Sequence, residues 1–392
     1  MKDPIITSIL DTDLYKITMM QAVWNQYPKS DVYYEFKCRN TNVSLYRIKD
    51  ELIHQINSWK NLELTKKEME YLLSLDFIKS DFVYFLKNYR IDPNLVLVED
   101  CVNSSGDKDL KISCKGKWID TILFEILILS TVNELFFDGI ITDPKDDAIL
   151  FLKDKVEENK IIDYPTFKFA EFGTRRRYSK EIQKIVLEEL IRLTPNQLIG
   201  TSNVKLASVY GIKPIGTVAH EWTMAHLGLT DNISQAQGRA LHVWKQEYGS
   251  RLGIALTDTF GTDAFINDFD FTLARAYDGV RHDSGDPIVF GEKIINYWNS
   301  IGIDPRRKSI VFSDGLNFPE ALRIWRHFTG RTNVSFGIGT YLTNDVGTAP
   351  LNIVMKLLSC NETPCVKLSD VNGKEMGDKS MIKSVKSCYG IL

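Results

Sequence analysis

Val280-Arg-His-Asp-Ser-Gly-Asp-Pro287, Phe312-Ser-Asp-Gly-Leu-Asn317 and Phe336-Gly-Ile-Gly-Thr340 share one plan. A short apolar run ends in a small, charged, glycine-containing cluster, and an amphipathic stretch follows. Working back toward the N-terminus, the plan recurs at Glu171-Phe-Gly-Thr-Arg-Arg-Arg177, Gly200-Thr-Ser-Asn203, Gly216-Thr-Val-Ala-His-Glu221 and Leu256-Thr-Asp-Thr-Phe-Gly-Thr262. The interval is roughly 15 to 40 residues, the size of a β/α unit. Between clusters the chain reads as helix. Ile182, Ile185, Val186, Leu190 and Leu193 fall at helical spacing. Pro287 suits a first turn, and Asn317 with Glu320 resembles a capping box. Strand, polar cluster and helix, repeated this often from residue 165 onward, predict a (β/α) barrel. In a barrel the loops after the strands build the site. A doubly wound sheet would gather unusual chemistry at one switch point instead.

Before residue 165 the texture differs. Polar helical segments such as 64–75 mix with strand-like pieces such as Asp31 to Arg39. The most apolar long stretch, Trp118 to Phe137, contains Asp120, Glu125 and Glu134, so it reads as a buried helix rather than a membrane span. The charged fraction is 25% and the net charge −3, which argues against general nucleic-acid binding. The six cysteines form no C-x-x-C pair, and no signal-peptide pattern opens the chain, so a reducing cytoplasm is expected.

The clusters after the last two strands suit phosphate. Glycines let backbone amides approach an anion, and Thr340 adds a hydroxyl; a plain strand-exit turn is the competing reading of Gly337-Ile-Gly-Thr340. Arg175, Arg176, Arg177 and Arg281 offer guanidinium groups for carboxylate or phosphate. Consecutive arginines must point apart, so one or two of the first three are expected at the site, Arg175 foremost. Asp283 and Asp314 suit ribose hydroxyls or Mg²⁺ through water, whereas Asp286 before Pro287 reads as a helix cap. His220 is a base or a nucleophile toward phosphorus, or a hydrogen-bonded structural histidine. His226 and His242 read as structural, and His282 remains open. No P-loop and no dinucleotide fingerprint is present.

Taken in order, several segments resemble bacterial-type nicotinate phosphoribosyltransferases over nearly the whole chain. They include Leu10-Asp-Thr-Asp-Leu-Tyr-Lys16, Phe172-Gly-Thr-Arg-Arg-Arg177, Ala219-His-Glu-Trp222, Arg281-His-Asp-Ser-Gly-Asp-Pro287, Ser335-Phe-Gly-Ile-Gly-Thr340 and Lys367-Leu-Ser-Asp370. The resemblance implies a type II phosphoribosyltransferase-like α/β fold. It has a smaller N-terminal α+β domain, residues 1–135, to which 346–392 return, beside an irregular (β/α) barrel of 136–345. It implies a cytoplasmic homodimer with shared active sites, acting in NAD salvage on nicotinate and 5-phosphoribosyl 1-pyrophosphate. ATP is co-substrate, and Mg²⁺ acts through waters and pyrophosphate with no direct protein ligand. By the same resemblance, His220 is the transient phosphohistidine and Asp283 a second catalytic group. Tyr15 (from the neighbouring subunit), Phe172, Arg175, Thr217 and Arg281 contact nicotinate. Asp314, Gly315, Gly337, Gly339 and Thr340 hold the phosphoribosyl part, although relatives carry larger polar residues at position 315. A nicotinamide-specific relative is the alternative. It would want a carboxylate acceptor near Thr201-Ser-Asn203, where the local sequence has none. A different phosphate-binding barrel enzyme is the more distant one.

Overall fold

A computed structural model describes residues 2–371, 373 and 375–391 of the 392-residue chain. Two sheets organise them. The first is antiparallel, in the order β11 (Thr363–Pro364), β10 (Ile353–Cys360), β1 (Asp31–Cys38), β3 (Lys108–Lys117), β2 (Val96–Val102). In β1, Val32, Tyr34 and Phe36 are buried while their neighbours are not, the alternation of a strand with one covered face. β10 pairs with β1 from Val32↔Cys360 to Cys38↔Ile353, so late chain joins early chain in one sheet.

The apolar stretch after β3 is two helices, Trp118–Thr121 and Phe124–Phe137, instead of one. Ile122 and Leu123 between them keep right-handed helical angles, so the break is a slip in hydrogen bonding with little change of direction. The second helix is buried almost all round, as an apolar helix without a polar face must be.

The second sheet is parallel, in the order β5 (Leu198–Thr201), β4 (Phe169–Glu171), β9 (Asn333–Ile338), β8 (Ser309–Phe312), β7 (Gly279–His282), β6 (Ile254–Leu256). Six of the seven clusters leave the C-terminal ends of these strands. The seventh, at Gly216–Glu221, does not follow a regular strand. Among the described residues β5 and β6 do not pair, and the chain from Lys213 to Thr217 lies in the gap between them. Ile215 N–H donates to Thr201 O (2.8 Å), and the Thr217 hydroxyl donates to Ile254 O (3.1 Å). Pro214 lacks an amide hydrogen, and Gly216 has φ +152°, so this strap cannot carry a regular ladder. A side chain at Gly200 would meet Lys213 O at 2.0 Å, so the close approach of strap and strand requires glycine there. The fold is an irregular α/β barrel that no closed strand ladder completes among the described residues: an open six-stranded parallel sheet whose edge strands are bridged across the seam by this strap.

Side chains cap the helix starts, with the Glu320 carboxylate turned to Arg323 instead of back to Asn317 N–H as the expected capping box requires. Ser179 accepts from Ile182 N–H ahead of Lys180–Leu193, Asp286 caps Pro287–Ser300, and Asn317 accepts from Glu320 N–H ahead of Phe318–Phe328. One continuous core runs through both sheets. A smaller apolar cluster seats the last helix, Lys379–Cys388, against Leu227 and Phe260. No described helix is long and apolar enough to cross a membrane.

Candidate active site

Because the strands of the second sheet are parallel, their C-terminal ends share one edge. Along it, in strand order, stand Phe172, Gly337 to Thr340, Asp314 with Gly315, Arg281 with Asp283, and Asp258. Three groups of contacts form there.

The first centres on His220, which begins the short helix His220–Ala225 after the strap. Its Nε2 lies 2.7 Å from Asp258 Oδ1 and 3.7 Å from Asp283 Oδ2, and Arg281 reaches Asp283 Oδ2 at 3.3 Å. Asp258 Oδ2 takes Lys367 Nζ at 2.8 Å and the Ser284 hydroxyl at 2.6 Å, while Ser313 donates to Asp283 Oδ1 at 2.6 Å. Burial works against the charge of Asp258, yet His220 and Lys367 hold its carboxyl well below the usual range. Burial of Asp283 is likewise outweighed by Arg281 and His220, and its carboxyl is lowered. His220, Asp258 and Asp283 are close enough to share a metal ion. Asp258 is already engaged by lysine, serine and histidine, a set that reads as a closed ion-pair network. Beside it opens a cavity of about 970 Å³, lined by Asp283, Asp314, Lys367, Lys356, Lys37 and Arg39. Basic groups from the antiparallel sheet therefore face acidic groups from the barrel edge.

The second group gathers Tyr15, Arg175 and Glu125. The Tyr15 hydroxyl lies 3.4 Å from Glu125 Oε2, and Arg175 Nη1 lies 3.5 Å from Glu125 Oε1. The three consecutive arginines part ways as their spacing demands. Arg175 turns to Glu125, Arg176 donates to Ile353 O, and Arg177 is buried in a bidentate pair with Asp11. Thr217 sits beside Tyr15's helix: its carbonyl accepts from the Thr18 hydroxyl, while its own hydroxyl serves the seam. A side chain at Gly216 would press on Leu14 Cβ and Tyr15 N at 3.3 Å.

The third group is Phe172 with Gly337 and Gly339. Phe172 N–H donates to Ile338 O, and side chains at either glycine would strike the Phe172 ring or carbonyl. The glycines thus fit the aromatic ring as closely as they could fit an anion. Thr340 opens the single turn Thr340–Thr343, and Gly315 adopts φ +58° on the exposed loop after β8.

One expectation is corrected. The Thr201-Ser-Asn203 cluster does have carboxylates, supplied by the N-terminal segment: Ser202 donates to Asp13 Oδ1 and Asn203 to Asp11 Oδ1. A local reading could not see them, since they lie 189 and 192 residues away, and the absence of acid there no longer separates carboxylate from amide ligands. His282, left open by sequence, is buried between Phe290 and Phe312, with both ring nitrogens lacking a hydrogen-bond partner. Burial keeps its imidazole below the ordinary value. Sequence reasoning gave no site role to Lys16, Glu125 and Glu221: Lys16 and Glu221 were marked only by adjacency to Tyr15 and His220, and Glu125 only as a carboxylate inside the apolar stretch 118–137.

Comparison with known proteins gives a consistent result. The description "Nicotinate phosphoribosyltransferase (NAPRTase) family" matches residues 167–391, and that family's N-terminal domain matches residues 10–133. The nicotinate phosphoribosyltransferase of Xylella fastidiosa is 43% identical over 389 residues, covering 99% of this chain and 98% of the relative. That of Cupriavidus necator is 43% identical over 391 residues, covering 99% of each. Among solved structures, the nicotinate phosphoribosyltransferase of Vibrio cholerae superposes with a TM-score of 0.93 at 38% identity, over 99% of this chain and 95% of that one. The Porphyromonas gingivalis enzyme gives 0.92 at 35%, over 99% and 100%.

Proposed function

The chain belongs to the nicotinate phosphoribosyltransferase family and is an enzyme of that activity in NAD biosynthesis, and from this premise we propose that it couples the reaction to ATP through His220. Its substrates are nicotinate and 5-phosphoribosyl 1-pyrophosphate.

The observation that carries the proposal is the 2.7 Å contact of His220 Nε2 with Asp258, a carboxylate kept charged by its surroundings. With Nε2–H donated to Asp258, the lone pair stands on Nδ1. Attack by Nδ1 on the γ-phosphorus of ATP forms the N–P bond as the P–O bond to ADP breaks and ADP leaves with that electron pair. Asp258 offsets the positive charge that develops on the ring, the part an orienting carboxylate plays beside a catalytic histidine. Water then returns the phosphoryl group as inorganic phosphate.

In the transfer itself, the pyridine nitrogen attacks C1 of the ribose as pyrophosphate departs, so positioning and fixed charge carry most of the rate. Arg281 and Arg175 present guanidinium groups to the nicotinate carboxylate, and Tyr15 and Phe172 present rings to the pyridine. Gly337, Gly339 and Thr340, with Asp314 and Gly315, take the phosphoribosyl end. Lys367, Lys356, Lys37 and Arg39 surround the cavity where the polyphosphate would lie. Mg²⁺ fits this donor set, because Asp283 and Asp314 offer hard carboxylate oxygens there. Bound through water to these residues, it would neutralise the departing pyrophosphate. The enzyme works as a homodimer in which Tyr15 completes the neighbouring pocket, and in the cytoplasm, where its six free cysteines suit a reducing environment.

Mass spectrometry of the ATP-treated protein should find acid-labile phosphate on His220. His220→Ala should still form nicotinate mononucleotide without consuming ATP in step. Unchanged ATP stoichiometry in that variant removes His220 from the carrier role.

A further inference from the structure

Glu221, the residue after His220, is tied down by three elements. Its Oε1 accepts from the Tyr34 hydroxyl (2.6 Å) and Trp118 Nε1 (2.7 Å), and its Oε2 pairs with Lys16 Nζ. The same ammonium lies 2.7 Å from Glu125 Oε2. The Lys16 side chain has no exposure, and the Glu125 and Glu221 side chains are 12% and 8% exposed. Glu125 in turn faces the Tyr15 hydroxyl and Arg175. A single buried cation therefore bridges the carboxylate beside the phosphate carrier and the carboxylate beside the pyridine contacts.

We propose that Lys16 is a positioning residue that couples phosphorylation of His220 to the nicotinate subsite, through the continuous path Glu221–Lys16–Glu125–Tyr15 and Arg175. The inference rests on the carrier reading of His220 and goes beyond it by naming the link. A phosphoryl group adds close to two negative charges at His220. The helix bearing His220 cannot shift in response without moving Glu221, because that nearly buried carboxylate is held by Tyr34, Trp118 and Lys16. Lys16 follows, since leaving either buried carboxylate unpaired is costly. Its movement changes how Glu125 holds Tyr15 and Arg175. Burial opposes the charge on Lys16, but the two glutamates more than compensate and raise its ammonium, so the bridge stays charged across the working pH range. By linkage, bound nicotinate must favour phosphorylated His220 by the same factor that phosphorylation favours nicotinate.

The readout is the nicotinate KM measured without ATP divided by the KM with ATP, alongside the acid-labile phosphate on His220. Lys16→Met keeps the length of the side chain and removes its charge. It should still phosphorylate, with the KM ratio collapsing to within about twofold of one. Lys16→Arg, which preserves both carboxylate partners, should restore most of the wild-type ratio, a rescue that loss of packing alone would not give. Should Lys16→Met fail to fold, Glu221→Gln reads the same link. It keeps an acceptor for Tyr34 and Trp118 but turns an amide donor toward Lys16, and the ratio should fall in the same way. A wild-type ratio in a phosphorylated, folded Lys16→Met or Glu221→Gln enzyme overturns the coupling alone. Absence of phosphate on His220 in the wild type overturns the carrier reading, and the coupling with it.

Discussion

His226 shows how much a single buried ring can say about the state of the molecule. It has no exposure; its Nδ1 lies 2.7 Å from Trp222 O and its Nε2 3.1 Å from the Tyr27 hydroxyl. Burial pushes its imidazole down to about 4; the Trp222 carbonyl opposes this and nearby Arg239 adds to it. Between pH 6.5 and 4 the unfolded chain binds a proton at this histidine that the folded chain does not. Stability is therefore fully present above pH 6.5 and falls as pH drops through that window, by up to about 3 kcal/mol. Against His226→Asn, which does not titrate, the wild type should lose that amount of relative stability between pH 7 and pH 4 in urea unfolding. A difference independent of pH would mean that the ring is not held neutral. Sequence context already set His226 apart from His220, because one lies inside a helical run and the other at a glycine-rich exit. Context could not say where Arg175, Arg176 and Arg177 would go. Their partners lie 50, 177 and 166 residues away, at Glu125, Ile353 O and Asp11, and no local pattern encodes pairs at such separations.

At the scale of the element, the most reliable signals were those in which a side chain satisfies backbone groups next to it. Asp286 Oδ1 accepts from both Ile288 and Val289 N–H at the start of Pro287–Ser300, with proline in the first turn. Asp286→Ala should lower unfolding stability by about 1 kcal/mol, the usual worth of such a cap, with nicotinate KM left within error. A large rise in KM, measured at equal folded fraction, would instead place Asp286 among the substrate contacts. The segment Trp118 to Phe137 was read correctly as buried and helical, yet its interruption was invisible. Ile122 and Leu123 are apolar and keep helical angles, so neither composition nor periodicity marks a break in hydrogen bonding alone. The cluster at Gly216–Glu221 misleads for a related reason. Its apolar-then-polar texture imitates a strand exit, while the strap before it, with Pro214 and the φ of Gly216, makes an isolated parallel bridge at Thr201↔Pro214 instead of a strand.

Across the whole molecule, the repeat was enough to predict that the clusters share an edge, because parallel strands leave no other arrangement. What the repeat could not show is how the chain beyond it closes over that edge. After β10 and β11 the chain turns back across the barrel mouth: Leu368 N–H donates to Thr259 O, and Lys367 pairs with Asp258. Asp370 accepts from the amide and hydroxyl of Thr262 at 2.7 and 2.6 Å, and its own N–H donates to Ser284 Oγ at 3.2 Å. Ser284 donates to Asp258, which faces His220. From Asp370 the path thus ends, three links later, on His220, the residue proposed to carry phosphate. Removing the carboxylate of Asp370 frees the Thr262 loop and lets Ser284 and Lys367 drift from Asp258, so the imidazole loses orientation while the pyridine contacts keep theirs. Asp370→Ala should therefore lower kcat by about tenfold, equivalent to one lost hydrogen bond of about 1.4 kcal/mol, with nicotinate KM in the absence of ATP nearly unchanged. Asp370→Asn, which can still accept from Thr262, should fall between the two. If both variants turn over at the wild-type rate, the C-terminal segment covers the rim without ordering the chemistry beneath it.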